Sequence, residues 1–142
     1  MFFKKDNIKN QNIDIIKVTA LLIHAAKIDE NYAIEEEEII KKTILLLGAK
    51  NEDIDHIIQK GKETENNANQ ILEFTQEVKN MNNENKAKIV EALWEIIYSN
   101  KEADMYETGL MRKLAGLMYI DNKIMGDIKS KIKKKIQDDI FS

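Results

Sequence analysis

The sequence has no proline, no cysteine and only five glycines among its 142 residues. Average usage would give about seven prolines. Because proline and glycine are the main helix breakers, long helices meet few interruptions here. The absence of cysteine excludes disulfides, thiolate metal sites and thiol nucleophiles. The net charge of −3 provides no overall field that would attract nucleic acid, so we expect no nucleic-acid partner.

Long apolar runs are also missing. The segment Met1-Phe2-Phe3-Lys4-Lys5 is too short for the apolar core of a signal peptide. The longest apolar runs, 19–23 and 44–47, are far shorter than the roughly 20 residues of a membrane-spanning helix. We therefore expect a soluble, cytoplasmic protein without a transmembrane segment.

Apolar residues recur at three- and four-residue steps along most of the chain, and no segment shows sustained alternation. This pattern predicts a compact all-α bundle of about seven helices, with short connections between antiparallel neighbours. The second helix is expected to end at Gly48. The expected N-caps are Asn12, Asn51, Asn82 or Asn83, and Asp121 or Asn122. Residues 1–12 are predicted to be an N-terminal extension and residues 13–142 a single domain. The predicted helices are 13–28, 35–47, 52–63, 68–79, 84–99, 105–119 and 122–138.

The two halves of the chain resemble each other at an offset of 71 residues, without gaps. Leu22 matches Leu93, and the run 39–42 matches 110–113. Polar positions match in the same register: Asp29 with Asn100, Glu36 with Glu107, and His24 with Glu95. Each copy consists of a helix, an acidic loop and a second helix that begins with carboxylates. The offset predicts a pseudo-symmetric pair of helical hairpins, joined by the third and fourth helices.

Six acidic residues and no basic residue lie between Asp29 and Glu38. Such a concentration of like charge is costly unless water, a helix N-terminus or a cation offsets it. Hard oxygen ligands in a flexible loop suit calcium, and magnesium accepts fewer of them. The metal candidates are therefore Asp29 and Glu36 in the first copy and Asn100 and Glu107 in the second. His24 and Glu95 are secondary candidates.

An ordinary solvated helix start explains the same acids, since carboxylates in a first turn complement the helix dipole. Asp104 and Glu107 also have the spacing of a capping box. Ala33, three residues before Glu36, cannot form the equivalent cap, so capping explains Glu36 less well. Both interpretations remain open from the sequence.

The residue types for catalysis are scarce. His24 and His56 are the only histidines, which is too few for a multi-histidine zinc site. The sequence has no nucleophile elbow and no glycine-rich phosphate loop, so we expect a protein that is not an enzyme.

The last helix carries isoleucines at 124, 128, 132, 136 and 140, flanked by five lysines between 129 and 135. We expect the isoleucines to dock on the bundle and the lysines to suit the negative C-terminal end of the helix. The alternative is that this basic amphipathic helix contacts a membrane surface or an acidic partner.

Two stretches carry a family resemblance. Ala-Leu-Leu-Ile-His-Ala-Ala-Lys-Ile-Asp (20–29) and Glu-Ala-Leu-Trp-Glu-Ile-Ile-Tyr-Ser-Asn (91–100) are each followed by a loop and a glutamate-led helix. They resemble the TerB-like family, which includes tellurite-resistance protein B and the N-terminal domain of the co-chaperone DjlA. The family motif places a glutamate seven residues after an aspartate, and Asp29 with Glu36 and Asn100 with Glu107 keep that spacing. Glu30 and Lys101 stand where the family prefers glycine.

The resemblance implies an all-helical fold and a role for the acidic positions in binding a divalent cation, linked to stress responses. The oxygen ligands make calcium or magnesium the expected cation. The alternative is a protein-interaction module of the co-chaperone type that binds no metal. Either function implies a protein partner whose identity the sequence does not give.

Overall fold

The computed structural model describes residues 13–27, 34–99 and 105–141, with side chains described at all of these positions except 105–108 and 136–141. The described residues form seven α-helices and no β-strand. This confirms the all-α prediction. The helices are α1 (Ile15–Lys27), α2 (Ile34–Leu46), α3 (Ile54–Asn67), α4 (Leu72–Lys79), α5 (Asn83–Tyr98), α6 (Met105–Leu117) and α7 (Asn122–Phe141). The predicted extension 1–12 lies outside the described residues.

Short polar side chains begin three of the helices. The Asn82 side chain accepts a hydrogen bond from the Asn85 amide at 2.8 Å, and the Asp121 carboxylate accepts one from the Lys123 amide at 2.8 Å. Both predicted caps are thereby confirmed, because each satisfies an amide that has no partner within its helix. Helix α1 begins later than predicted, and Asp14 accepts the hydrogen bond from the Lys17 amide. The predicted cap Asn12 is outside the described residues.

The connections around α3 differ from prediction. A short 3-10 turn, Asn51–Asp53, precedes α3, and Asn51 forms part of this turn instead of capping the helix with its side chain. At its other end α3 runs through Asn67, and α4 starts only at Leu72. Asparagine is a weak helix former with a cost well below 1 kcal/mol, so it ends a helix less reliably than glycine or proline does.

Helices α2 and α6 end in the same way. Gly48 has φ of +111° and Tyr119 has φ of +56°. In both ends the next amide donates a hydrogen bond to the carbonyl five residues before it: Ala49 to Ile44 at 3.0 Å and Ile120 to Ala115 at 2.9 Å. These are Schellman caps, which require a left-handed residue. The two caps are 71 residues apart, as the internal repeat predicts.

Helices α1 and α5 form the centre of the bundle. Eight residues of each are buried, far more than the single stripe of a surface helix. Helix α1 packs against α2, α3, α4 and α5. Large apolar side chains such as Leu21, Leu22 and Leu93 are completely buried between these helices.

The repeat extends further than predicted. Helix α3 packs on α1 as α7 packs on α5, and these are the two most extensive helix contacts in the described part of the chain. Ile54 and Met125, 71 residues apart, are both buried, and so are Gly61 and Ile132. Each half is thus a unit of three helices, and α4 is the additional segment that joins them.

The contact between α1 and α3 is especially close at Gly61. A Cβ atom at Gly61 would lie 2.6 Å from Thr19 Cγ2 and 3.3 Å from Ile23 Cδ1. The hydroxyl of Thr19 donates a hydrogen bond to the Ile15 carbonyl, so its methyl group is directed by that bond. The absence of a side chain at position 61 therefore sets the distance between the two helices.

Helix α7 docks on the bundle as predicted, with Met125 and Ile132 buried in the core and Ile128 half-buried against it. Ile124 is exposed and does not belong to this contact. Among the described residues, no helix is long and apolar enough to cross a bilayer.

Candidate cation site

The structure places three of the six candidate ligand side chains. Glu36, His24 and Glu95 are described, and they lie on α2, α1 and α5. Asp29 and Asn100 lie outside the described residues. Glu107 lies on α6, and its side chain is also outside the described set.

Glu36 is the most unusual of the described candidates. It lies in the first turn of α2 and is only 2% exposed, whereas its neighbours Glu35 and Glu38 are exposed. Glutamate is rarely buried to this extent, because taking a carboxylate out of water is expensive. The positive end of the helix dipole offsets part of that cost. Glu36 is therefore the acid in this turn whose charge is not stabilised by exposure to water.

Glu37, the next residue, connects α2 to α3. Its carboxylate lies 3.1 Å from Lys62 Nζ on α3 and 3.7 Å from Lys41 Nζ one helical turn along α2. These lysines hold positive charge beside the acidic first turn. Part of the charge that the sequence concentrates in this region is therefore balanced by the protein itself.

His24 belongs to an ion-pair cluster between α1 and α3. Its Nδ1 atom lies 3.2 Å from a carboxylate oxygen of Glu65, and Lys27 Nζ donates a hydrogen bond to the other oxygen at 2.7 Å. The Glu65 side chain is 11% exposed. Burial raises the pKa of this carboxyl, but the hydrogen bonds and charges of Lys27 and His24 lower the pKa by more, so it lies below its usual range. Glu65 is thus a carboxylate at neutral pH.

Glu95, the counterpart of His24 in the second half, also pairs with another helix. Its carboxylate lies 3.0 Å from Lys42 Nζ on α2, and its side chain is 15% exposed. Equivalent positions of the two repeats thus both contact a charged side chain on another helix. As ligands, His24 and Glu95 would have to exchange these partners for a metal.

The described residues contain no group of three or more histidine, aspartate or glutamate side chains that could hold a metal ion. Among the ligand candidates whose side chains are described, Glu36 alone is both buried and at the start of a helix. A cation site at this position would need further oxygen donors from residues outside the described set.

A cleft of about 400 Å³ opens between α1 and α3, beside the ion-pair cluster. Its lining includes Ile23 and Lys27 from α1, and Lys62, Glu63 and Asn66 from α3. Charged side chains surround an apolar floor, and the two lysines already bind Glu65 and Glu37.

The sequence pattern does not single out Glu65 and Lys62. Both lie on α3, for which the sequence predicts only a linking role between the two hairpins. The spacing of His24 and Lys27 places both side chains on one face of α1 and indicates that an acidic side chain lies nearby. Choosing Glu65 as that acid requires knowing how α3 crosses α1.

The fold is therefore a helical bundle built from a duplicated three-helix unit, with a buried glutamate at the start of its second helix. The model of the family described as tellurite resistance protein TerB matches residues 15–130. This match covers most of the chain, and the chain belongs to the TerB family, as the resemblance implied. Searches of curated proteins and of solved structures find no match.

Proposed function

We propose that this chain is a non-enzymatic TerB-family domain that binds a divalent cation at the start of α2, in the setting of a stress response. The observation that supports this proposal best is the burial of Glu36. A divalent cation beside a buried carboxylate compensates the loss of its hydration.

The donor chemistry favours calcium or magnesium. Glu36 supplies hard carboxylate oxygen, which these ions prefer. Zinc prefers nitrogen and sulfur ligands, and the sequence has no cysteine and two histidines. His24, moreover, is paired with Glu65. The spacing of the family motif indicates further oxygen donors in both halves. These are Asp29 in the first half and Asn100 and Glu107 in the second.

Calorimetric titration tests the proposal. Calcium, magnesium, manganese and zinc are titrated separately into chelator-treated protein, and into the variants Glu36→Gln and Glu35→Gln. Glu35 is the matched control because it lies in the same helical turn and is exposed. We expect calcium or magnesium to bind wild type and Glu35→Gln, and to bind Glu36→Gln at least tenfold more weakly. Absence of binding at millimolar metal would reject the cation function, and equal binding by Glu36→Gln would reject the site.

A second candidate function is a protein-interaction module without a metal. The observation that favours it is the pairing of Glu37 with Lys41 and Lys62, which balances acidic charge locally. The exposed Ile34, at the start of the same helix, would then be part of the contact surface. Under this alternative, Ile34→Asp and Glu35→Lys would reduce capture of the partner, and Glu36→Gln would bind as wild type does.

A further inference from the structure

The lysines of α7 form a positive surface that the proposed function does not use. Five lysines and no acidic residue lie between positions 129 and 135, in a chain whose net charge is −3. Four of them are exposed to solvent, and we call these the α7 lysine face: Lys131, Lys133, Lys134 and Lys135.

The opposite side of α7 is occupied by the bundle. Met125 and Ile132 are buried there, and Lys129 Nζ lies 5.2 Å from the centre of the Trp94 ring on α5. The part of the apolar stripe formed by Met125, Ile128 and Ile132 packs on the bundle and is therefore not available for insertion into a bilayer. A partner that contacts the lysines on the solvent side of α7 binds through charge.

Among the side chains that the structure describes, few acids compensate the positive charge of this face. Lys131 lies 3.6 Å from a carboxylate oxygen of Glu91. Lys133, Lys134 and Lys135 form no ion pair with any side chain that the structure describes. Three consecutive lysines, about 100° apart around the axis, thus project from the convex solvent side of α7, and the α7 lysine face spans roughly 6 Å along the axis.

We infer that the α7 lysine face adsorbs the domain to an anionic lipid bilayer without insertion. Lysine is a mobile point charge, which suits a dense, multivalent plane of phosphate headgroups. An acidic protein segment would carry similar charge. The convex shape and the use of the apolar stripe within the bundle favour the flat lipid surface, which needs no groove.

Vesicle co-sedimentation tests this inference with the full chain. The vesicles are pure phosphatidylcholine, or phosphatidylcholine with 30% phosphatidylglycerol, at low salt and at 0.3 M salt. We compare wild type with the triple variant Lys133→Gln, Lys134→Gln, Lys135→Gln. The control triple variant removes the same total charge from three exposed lysines outside α7: Lys50→Gln, Lys60→Gln and Lys113→Gln.

We expect binding only to the anionic vesicles, and its loss at 0.3 M salt because exposed charges are screened there. A lysine near an anionic surface strengthens adsorption about fivefold, so the α7 triple variant should bind about a hundredfold more weakly. The control variant should lose much less. The fluorescence emission of Trp94, the only tryptophan, should stay unchanged on binding.

Four results would overturn the inference. The first is no binding to anionic vesicles at low salt, and the second is an equal loss in both triple variants. The third is binding of soluble polyglutamate at this face without binding of vesicles, which would assign the surface to an acidic protein. A shift of the Trp94 emission would contradict adsorption without insertion. If the triple variant fails to fold by circular dichroism, the double variant Lys133→Gln, Lys134→Gln gives the same comparison with a roughly 25-fold expected loss.

Discussion

The crossing of α1 and α3 leaves no room for a methyl group at Gly61. In the substitution Gly61→Ala, the new Cβ atom would lie 2.6 Å from Thr19 Cγ2 and 3.0 Å from Thr19 Cβ. Neither atom is the free end of a flexible side chain, because the Thr19 hydroxyl is bonded to the Ile15 carbonyl at 2.7 Å. Helix α3 must therefore move away from α1, and this contact is the most extensive one between helices in the described structure.

The size of the effect follows from two opposing terms. Alanine in a helix interior is favoured over glycine by about 1 kcal/mol. Overpacking of a core typically costs about 1–3 kcal/mol. We therefore expect Gly61→Ala to lower the free energy of unfolding by up to about 2 kcal/mol.

Gly126 provides the matched control. It lies inside α7, and a Cβ atom there would meet nothing within 4 Å. Gly126→Ala should thus gain only the higher helix propensity of alanine and become up to about 1 kcal/mol more stable. The two variants should differ by about 1–3 kcal/mol in urea denaturation, or by about 4–12 °C in melting temperature.

A second substitution tests whether the contact itself causes the loss. Thr19→Ser removes the Cγ2 methyl group and keeps the hydroxyl. In the Gly61→Ala background it should recover part of the lost stability, whereas in wild type it should destabilise. If Gly61→Ala is as stable as Gly126→Ala, or if Thr19→Ser costs the same in both backgrounds, the close crossing is refuted.

Further predictions concern the ion-pair cluster and the two Schellman caps. Glu65→Gln should lower the free energy of unfolding by about 1 kcal/mol at pH 7, because Lys27 and His24 lose the carboxylate that they contact. The folded-state pKa of Glu65 is lowered, so this stabilisation is present above the unfolded pKa of about 4.3 and is lost as the pH falls through the folded value. Urea titrations at pH 7 and pH 3 should therefore show a larger difference from wild type at pH 7 than at pH 3, and an equal difference at both would contradict this assignment. Gly48→Ala should destabilise by about 1 kcal/mol, since φ of +111° strains a residue with a side chain. Tyr119→Gly should destabilise less than Gly48→Ala does, or should stabilise the protein. If Gly48→Ala leaves the melting temperature unchanged, backbone strain is not the reason that glycine occupies this cap.

The helices were predictable because their signal is local. The 3.6-residue period, the lack of proline and the short polar caps are all written in neighbouring residues. The repeat was predicted for α1 with α2 and for α5 with α6, where polar and apolar positions match. It was missed in α3 and α7, because Gly61 matches Ile132 and the similarity becomes visible only as equal burial in the folded chain.

The candidate site was less predictable, because burial is a tertiary property. Glu35, Glu36, Glu37 and Glu38 are identical in type and adjacent in sequence, and only the packing of α2 shows that Glu36 is the buried one. The sequence did single out Glu36, since Ala33 offers it no cap. The pairing of His24 with Glu65 depends on the crossing of two helices that lie 41 residues apart in sequence.

The most direct test of the cation site is the amide ¹H–¹⁵N spectrum of chelator-treated protein, recorded during titration with calcium and then with magnesium. We predict saturable shifts at residues 34–38 of α2, with smaller changes along α6, which carries Glu107, and loss of these shifts in Glu36→Gln. A spectrum that does not change at millimolar concentrations of either metal, or that changes only far from α2, would contradict the proposed role of Glu36.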